Sequence, residues 1–222
     1  FLLYQALKKA GIKCAYIGTI GFYIENKKKD LCNTTPDILN LYEMLLECRR
    51  CEVEYVVMEV SSHALDMNRV GGLEFDYAIF SNLTKDHLDY HLDMKNYALA
   101  KQKLFKKLKR NGIALVNVDD DYKNFFLVHT NTITYGLKEG EYRITDYAID
   151  IYGSKFILNG QSYESKLIGK HNLYNILAVI VLLKQLGISN IEEIVRDLIP
   201  PKGRMEMIPY RDNIIVIDYA HT

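Results

Sequence analysis

The 222-residue sequence has no tryptophan and only four prolines and four cysteines. Cys48 and Cys51 form one C-x-x-C pair near the end of a predicted helix, but neither a second pair nor a nearby histidine completes a zinc site. Reduced thiols, as in cytoplasmic proteins, are therefore expected. Long apolar runs are also lacking. The longest, residues 176–183, is too short to span a bilayer, so no membrane insertion is expected.

The chain has no excess of charge of either sign. Lysine and arginine together number 28, as do aspartate and glutamate. A balanced chain sets up no long-range field that would attract nucleic acid or an anionic membrane, so neither is expected as a partner. The sequence also contains no G-x-x-x-x-G-K-[ST] loop, whose clustered backbone N–H groups would cradle a triphosphate.

Residues 58–105 carry the strongest functional signal. The apolar run Tyr55–Met58 is typical of a buried parallel strand and is followed by the carboxylate of Glu59. A second such run, Phe75–Phe80, is followed by an acidic, histidine-rich segment that contains His87. Ligands bind outside the carboxyl ends of strands in open parallel sheets. Glu59 and His87 are therefore expected at the same edge of one sheet.

Lys101 lies in the apolar stripe of a predicted helix. Tyr97, Lys101, Leu104 and Leu108 are spaced four, three and four residues apart, which places them on one helix face. An isolated buried ammonium group is unfavourable, so this lysine must reach water or find a partner. Periodicity alone favours the first of these interpretations.

Strands and helices alternate along most of the sequence. This alternation predicts an α/β fold, with a doubly wound, mostly parallel sheet flanked by helices. Short alternating stretches in residues 130–165 add a small antiparallel sheet. Thr35 is predicted as the N-cap of the first long helix, with Pro36 at its first position. The predicted strands are 13–19, 53–60, 75–80 and 111–119, and the predicted helices are 38–48, 120–128, 171–186 and 191–198.

Seven ordered sequence motifs closely resemble those of the Mur ligase family. They are N-T-T-P-D (33–37), M-E-V-S-S-H (58–63), S-N-L-T-K-D-H-L-D-Y-H (81–91), A-K-Q-K-L-F (100–105), G-K-H-N-L-Y-N (169–175), P-K-G-R-M-E (201–206) and D-Y-A-H-T (218–222). Within the family, the chain is most similar to the UDP-N-acetylmuramoyl-L-alanyl-D-glutamate ligases. The resemblance implies a central domain over residues 1–205 and the start of a C-terminal domain over 206–222. It also implies a phosphate loop upstream of Phe1.

The resemblance implies an enzyme that uses ATP and Mg²⁺. Such a ligase phosphorylates a substrate carboxylate, and the amine of the next amino acid then attacks the acyl phosphate. The implied substrates are UDP-MurNAc-L-Ala-D-Glu and a diamino acid, either meso-diaminopimelate or L-lysine, in bacterial peptidoglycan synthesis. A cytoplasmic, monomeric enzyme is expected, and this chain by itself is expected to be inactive.

Matching these motifs residue by residue gives the implied site. The catalytic and Mg²⁺-binding residues are Glu59, His87 and Lys101, the last as a carbamate formed with CO₂. The substrate-binding residues are Thr34, Thr35, Ser61 and Arg69. The ATP-binding residues are Asn172, Asn175, Arg204 and Asp218. Carbamylation replaces a buried ammonium by an anion beside a dication, which overturns the interpretation of Lys101 drawn from periodicity. Met67 departs from the glutamine of many relatives and removes one hydrogen-bonding contact.

Two other functions stay open. A related ligase, D-Ala-D-Ala-adding or folylpolyglutamate-like, would share the glutamate, histidine and lysine but should lack the N-T-T and M-E-V-S-S-H motifs. A non-enzymatic nucleotide-sugar-binding module is favoured for a chain without a phosphate loop. A glycine-rich loop with lysine upstream of Phe1 would distinguish the ligase from the module.

Overall fold

The structure, a computed structural model, describes residues 1–211 and 213–219. Its helices are α1 (Leu2–Lys9), α2 (Ile38–Arg50), α3 (Ser62–Asp66), α4 (Leu88–His91), α5 (Met94–Phe105), α6 (Lys170–Gln185) and α7 (Ile191–Arg196), with a 3₁₀ turn at Lys123–Phe125. Its strands are β1 (Cys14–Gly18), β2 (Gly21–Ile24), β3 (Lys27–Lys29), β4 (Tyr55–Met58), β5 (Phe75–Phe80), β6 (Leu108–Asn117), β7 (Thr132–Gly136), β8 (Tyr142–Asp150), β9 (Gly153–Leu158), β10 (Gln161–Ser165), β11 (Glu206–Tyr210) and β12 (Asn213–Ile217).

The predicted mixed α/β architecture is confirmed. One six-stranded sheet has the order β10-β9-β8-β7-β6-β5, in which β5 to β8 pair in parallel and β8 to β10 pair antiparallel. The predicted small antiparallel sheet therefore continues the parallel one. A four-stranded sheet has the order β3-β2-β1-β4, with β1 and β4 parallel, and β11 and β12 form a separate hairpin.

A break separates the two larger sheets. β4 is the last strand of one and β5 the last strand of the other. Val57 of β4 and Ile79 of β5 pack against the same core cluster, so both unpaired edges lie beside one core. That core is built around α6, whose apolar residues 176–183 are almost completely buried. Within the described part of the chain, no helix has both the length and the apolar character needed to cross a membrane.

The N-cap predicted for α2 was wrong by two residues. Asp37, not Thr35, caps the helix, and its Oδ1 accepts a hydrogen bond of 3.1 Å from the backbone N–H of Asn40. Pro36 therefore precedes the helix. Thr35 is buried and bonds to residues distant in sequence, which leaves its hydroxyl group unable to cap α2.

Two other helix predictions were too long. α5 ends at Phe105, so Leu108 begins β6 and does not share a helix face with Lys101. Residues 120–128 contain only the 3₁₀ turn Lys123–Phe125.

Candidate active site

Glu59 follows β4 directly, and its carboxylate accepts three hydrogen bonds. The hydroxyl of Tyr16 donates to Oε1 at 2.5 Å, and the backbone N–H and the hydroxyl of Thr19 donate to Oε2 at 3.1 and 2.7 Å. Burial alone would raise the pKa of Glu59, but the hydrogen bonds from Tyr16 and Thr19 hold the pKa below its usual value. The site therefore contains a permanent, oriented anion at neutral pH.

Gly18 makes room for this arrangement. A Cβ atom at Gly18 would lie 2.2 Å from the Tyr16 hydroxyl oxygen and 2.8 Å from Cδ of Glu59. Neither group can move away easily, because each fixes the other. The carboxylate geometry therefore requires glycine at this position.

We expect Gly18→Ala to destabilise the protein by about 1–3 kcal/mol, the usual cost of overpacking a filled site. The measurement is the free energy of unfolding in urea. The control is the same substitution in Tyr16→Phe, which lacks the hydroxyl oxygen that lies 2.2 Å from the Cβ position. An equal loss for Gly18→Ala in both backgrounds would contradict the steric argument.

Thr35 connects Glu59 to the predicted substrate-binding residues. Its hydroxyl donates to the backbone carbonyl of Glu59 at 2.9 Å and accepts from the backbone N–H of Ser61 at 3.0 Å. Nη1 of Arg69 donates to the carbonyl of Thr35 at 3.0 Å. The hydroxyl of Thr34 lies 3.1 Å from that of Thr19, which itself holds Glu59. The structure thus brings all four predicted substrate residues into one hydrogen-bonded network.

Two residues of this network also have local roles. Ser61 is the N-cap of α3, and its Oγ accepts from the N–H of Ala64 at 3.2 Å. Arg69 Nη2 lies 3.3 Å from the sulfur of Met67. Met67 therefore keeps a contact to the arginine, although its sulfur is a much weaker acceptor than the amide oxygen of the glutamine expected from the family resemblance.

His87 belongs to a group of rings between α3 and α5. His63 lies 4.8 Å from His87 and 4.3 Å from Tyr90, measured between ring centroids, and the ring of Tyr97 lies 6.1 Å from that of His87. Nε2 of His87 is 3.4 Å from Oδ2 of Asp86. His87 and its acidic neighbour therefore form the polar edge of an aromatic cluster.

Lys101 approaches the same cluster from α5. Its Nζ lies 5.1 Å from the centroid of the Tyr97 ring, within cation–π distance. Burial lowers the pKa of Lys101, and the charge of Asp86 opposes this only in part. The lysine lines a small cavity of about 80 Å³ together with Val60, Ser81 and other residues at the carboxyl ends of β4 and β5. It thus lies next to the residue that follows Glu59.

The convergence of Glu59, His87 and Lys101 on one ion stays a prediction. Across residues 1–211 and 213–219, histidine, cysteine, aspartate and glutamate side chains form no group of three or more that could hold a metal ion. Mg²⁺ usually takes one or two protein ligands and completes its shell with water and substrate phosphates. Glu59 follows β4 and His87 lies in the segment after β5, so each follows the carboxyl end of a strand.

Asn172 and Asn175 lie in the first turns of α6. Nδ2 of Asn172 donates to the carbonyl of Ile168 at 2.8 Å, and Nδ2 of Asn175 donates to Oδ1 of Asn172 at 3.1 Å. The predicted pair is therefore in direct contact. Part of its hydrogen-bonding capacity stabilises the start of the helix, where the N-cap is Gly169.

Asp119 lies beside this pair and was not found from the sequence. Its Oδ2 accepts from the hydroxyl of Tyr174 at 2.9 Å and from the backbone N–H groups of residues 137 and 138 at 2.6 and 2.9 Å. These contacts join the end of β6, the turn after β7 and the helix α6. The acidic run after β6 was the only sequence signal, and it does not reveal partners so distant in sequence.

The two C-terminal motifs are in contact. The backbone N–H of Gly203 donates to Oε2 of Glu206 at 2.9 Å, and the N–H of Tyr219 donates to the carbonyl of Gly203 at 2.9 Å. A Cβ atom at Gly203 would lie 2.2 Å from the Tyr219 ring. Arg204 and Asp218, both exposed, therefore lie on adjoining segments. The last three residues of the D-Y-A-H-T motif, 220–222, lie outside the described residues.

Comparison with known proteins identifies the family of this chain. The sequence matches the Mur ligase middle domain over residues 1–183. The chain belongs to the Mur ligase family. It is 42% identical over 216 residues to the UDP-N-acetylmuramoyl-L-alanyl-D-glutamate–2,6-diaminopimelate ligase of Fusobacterium nucleatum, covering 93% of this chain and 44% of the relative. The corresponding enzyme of Clostridium perfringens is 38% identical over 238 residues, covering 100% and 48%.

A solved structure of a UDP-N-acetylmuramoyl-L-alanyl-D-glutamate–2,6-diaminopimelate ligase matches with a TM-score of 0.86 at 31% identity, covering all of this chain and 48% of that one. A Mur ligase from Thermotoga maritima in complex with ADP shares the fold, with a TM-score of 0.72 at 18% identity over 97% of this chain and 49% of that chain. This member of the Mur ligase family thus spans about half the length of the relatives it matches.

Proposed function

We propose that the full-length protein is an ATP-dependent ligase that joins 2,6-diaminopimelate to UDP-MurNAc-L-Ala-D-Glu in bacterial peptidoglycan synthesis. The most similar relatives carry this activity in their names. The observation that carries the proposal is the hydrogen-bonded network from Glu59 through Thr35 to Arg69, next to the cavity lined by Lys101. The proposal includes a monomeric enzyme in the bacterial cytoplasm.

Glu59, His87 and Lys101 would hold the Mg²⁺ ion. When bound, the ion offsets the repulsion between the triphosphate and the substrate carboxylate by neutralising phosphate oxygens. Glu59 contributes a carboxylate that its hydrogen bonds keep ionised. His87 contributes an imidazole nitrogen. Lys101 would contribute an oxygen as a carbamate, whose formation consumes a neutral amine and is therefore favoured by burial.

The threonine–serine–arginine network would bind the muramyl dipeptide. Arg69 has five N–H donors, of which one is used by the carbonyl of Thr35 and one by the sulfur of Met67, so the guanidinium group is fixed and still able to bind a carboxylate or phosphate. Thr34 and Ser61 would add hydroxyl groups at the same edge of the sheet. The backbone around Thr35 holds these groups in place before substrate arrives, which reduces the entropy cost of binding.

A second group of residues would bind the nucleotide. Asn172 and Asn175 would contact ATP from the start of α6, and Arg204 and Asp218 would do so from the adjoining C-terminal segments. We assign residues 1–205 to the central domain and 206–222 to the beginning of the next one. The hairpin of β11 and β12, separate from both large sheets, supports a boundary near this point.

The test uses the full-length protein with ATP, UDP-MurNAc-L-Ala-D-Glu and 2,6-diaminopimelate. We expect phosphate release and a product with the mass of the tripeptide, both dependent on all three substrates. L-lysine in place of diaminopimelate is the specificity control. Turnover only with the tripeptide substrate and D-Ala-D-Ala would instead identify the related ligase. Binding without phosphate release would identify a module.

A further inference from the structure

A serine–histidine–aspartate arrangement lies at the ring cluster, with Ser62 and His91 buried and Asp66 exposed. Nε2 of His91 is 2.8 Å from Oγ of Ser62, and Nδ1 of His91 is 3.6 Å from Oδ2 of Asp66. Ser62 is 1% exposed and His91 is 5% exposed. Asp66 is itself held by Lys103, whose Nζ lies 2.5 Å from Oδ1. Ser62 and Asp66 both lie on α3, whereas His91 is the last residue of α4.

The order of these groups resembles that of a hydrolase triad, but the burial excludes that function. A nucleophilic serine must be open to a substrate carbonyl and to an adjacent oxyanion site. Ser62 is closed off from both, since it is packed beneath the rings that follow it. The arrangement therefore holds elements together and does not attack a substrate.

α4 is the element that these residues hold. It is a single turn bracketed by two non-glycine residues with positive φ, His87 at 55° and Leu92 at 71°. Such conformations are unfavourable for bulky side chains and persist only when the surroundings fix them. Ser62 fixes the C-terminal end of this turn by binding His91, and His87 lies at its N-terminal end.

His91 also supports the aromatic ring next to Lys101. Its imidazole stacks on Tyr97, with centroids 5.0 Å apart and planes 23° apart. Nζ of Lys101 lies 5.1 Å from the centroid of the same Tyr97 ring, and His87 meets that ring edge-on at 6.1 Å. A displacement of His91 would therefore move both of these groups. His91 also contacts His87 directly, because its backbone N–H donates to the carbonyl of His87 at 2.9 Å.

We propose that Ser62, His91 and Asp66 form a positioning relay that sets the relative placement of His87 and Lys101. Asp66 orients the imidazole by facing Nδ1–H, so Nε2 is left to accept from the hydroxyl of Ser62. The expected effect of this relay on catalysis rests on the proposed ligase function. The positions of the rings and of the His91 proton do not depend on that function. The relay corresponds to the outer hydrogen bonds that orient ligands in many metal sites.

The first test does not depend on activity. In the full-length protein, ¹⁵N NMR of labelled histidines should show His91 neutral, protonated at Nδ1 and unprotonated at Nε2. Ser62→Ala should shift the ring signals of His87 as well as those of His91. Protonation at Nε2 in place of Nδ1, or unchanged His87 signals in Ser62→Ala, would overturn the proposal.

The second test separates positioning from folding. Ser62→Ala should lower kcat of the ligase by about 10- to 100-fold, the range found for outer partners of metal ligands, and leave KM for each of the three substrates within about twofold. Ser154→Ala is the matched control, because Ser154 is buried and its hydroxyl has no partner among the described residues. The kcat of Ser154→Ala should be unchanged.

Equal effects in both variants, or an effect confined to KM, would refute the relay. An inactive wild-type protein would refute the ligase function, and the NMR result would still decide the relay.

Discussion

Replacing Lys101 by alanine should reduce ligation by the full-length protein by more than about 100-fold, the scale on which loss of one preorganised electrostatic group acts. Lys101 is partly buried over the ring of Tyr97, and burial lowers its pKa, so a larger fraction of the amine is neutral at a given pH. A neutral amine is the form that reacts with CO₂, giving a carbamate anion and a released proton. The measurement is the rate of phosphate release with saturating substrates.

Three comparisons identify the carbamate. Lys101→Arg should be as inactive as Lys101→Ala, because guanidinium keeps its positive charge and does not take up CO₂. Short carboxylic acids should partly restore Lys101→Ala by occupying the vacated position. Lys106→Ala, just after the same helix and exposed, is the control and should keep wild-type activity. Wild-type rates in Lys101→Arg would show that a simple cation is sufficient.

Glu59→Gln should also lower the ligation rate by more than about 100-fold. Loss of a residue that only hydrogen-bonds to a metal ligand already lowers activity by about 10- to 100-fold, and Glu59 is proposed as a ligand itself. The substitution should lower the free energy of unfolding by about 1–3 kcal/mol as well, the cost of an unsatisfied buried polar group. An amide nitrogen in place of Oε2 would face the two donors of Thr19, and one in place of Oε1 would face the hydroxyl of Tyr16. Unfolding in urea measures the loss, with Glu43→Gln as the control, because Glu43 is exposed.

The pH dependence of this loss has a defined sign. The pKa of Glu59 in the folded protein lies below the unfolded value of about 4.3, so ionisation favours the folded state. The stabilisation of the folded state by the ionised Glu59 carboxylate is complete above the pKa of the unfolded state. It disappears as pH falls through the pKa of the folded state. The difference in unfolding free energy between wild type and Glu59→Gln should therefore be largest near pH 7 and shrink below about pH 4. A difference that grows with acidity would contradict this assignment.

A local sequence signal predicted the position of Glu59 correctly. An apolar run followed by a carboxylate defines where β4 ends, and this feature depends on neighbouring residues alone. Thr35 was misjudged as a cap because Asp37, two residues on, competes for the same role. The hydroxyl of Thr35 instead bonds to backbone groups 24 and 26 residues away.

The hydrogen bonds of Tyr16 and Thr19 to Glu59 could not be predicted in the same way. Both residues lie about forty positions before Glu59 in the chain and reach it only because β1 and β4 pair in parallel. Strand register decides which side chains meet, and a single sequence does not specify register between distant strands. Gly18 was overlooked for the same reason, since the atoms that exclude a side chain there belong to this tertiary contact.

The break between β4 and β5 has a consequence for the behaviour of the chain in concentrated solution. An unpaired strand edge is a template on which another extended chain can add, and proteins usually protect such edges with charge. The outer strand β3 is protected, because it consists of the three lysines 27–29. The edges at the break are formed by Tyr55–Met58 and by Phe75–Phe80, which are largely apolar. Self-association of the isolated chain would therefore begin at these two strands in the middle of the fold and not at β3, and both strands lead to proposed catalytic residues.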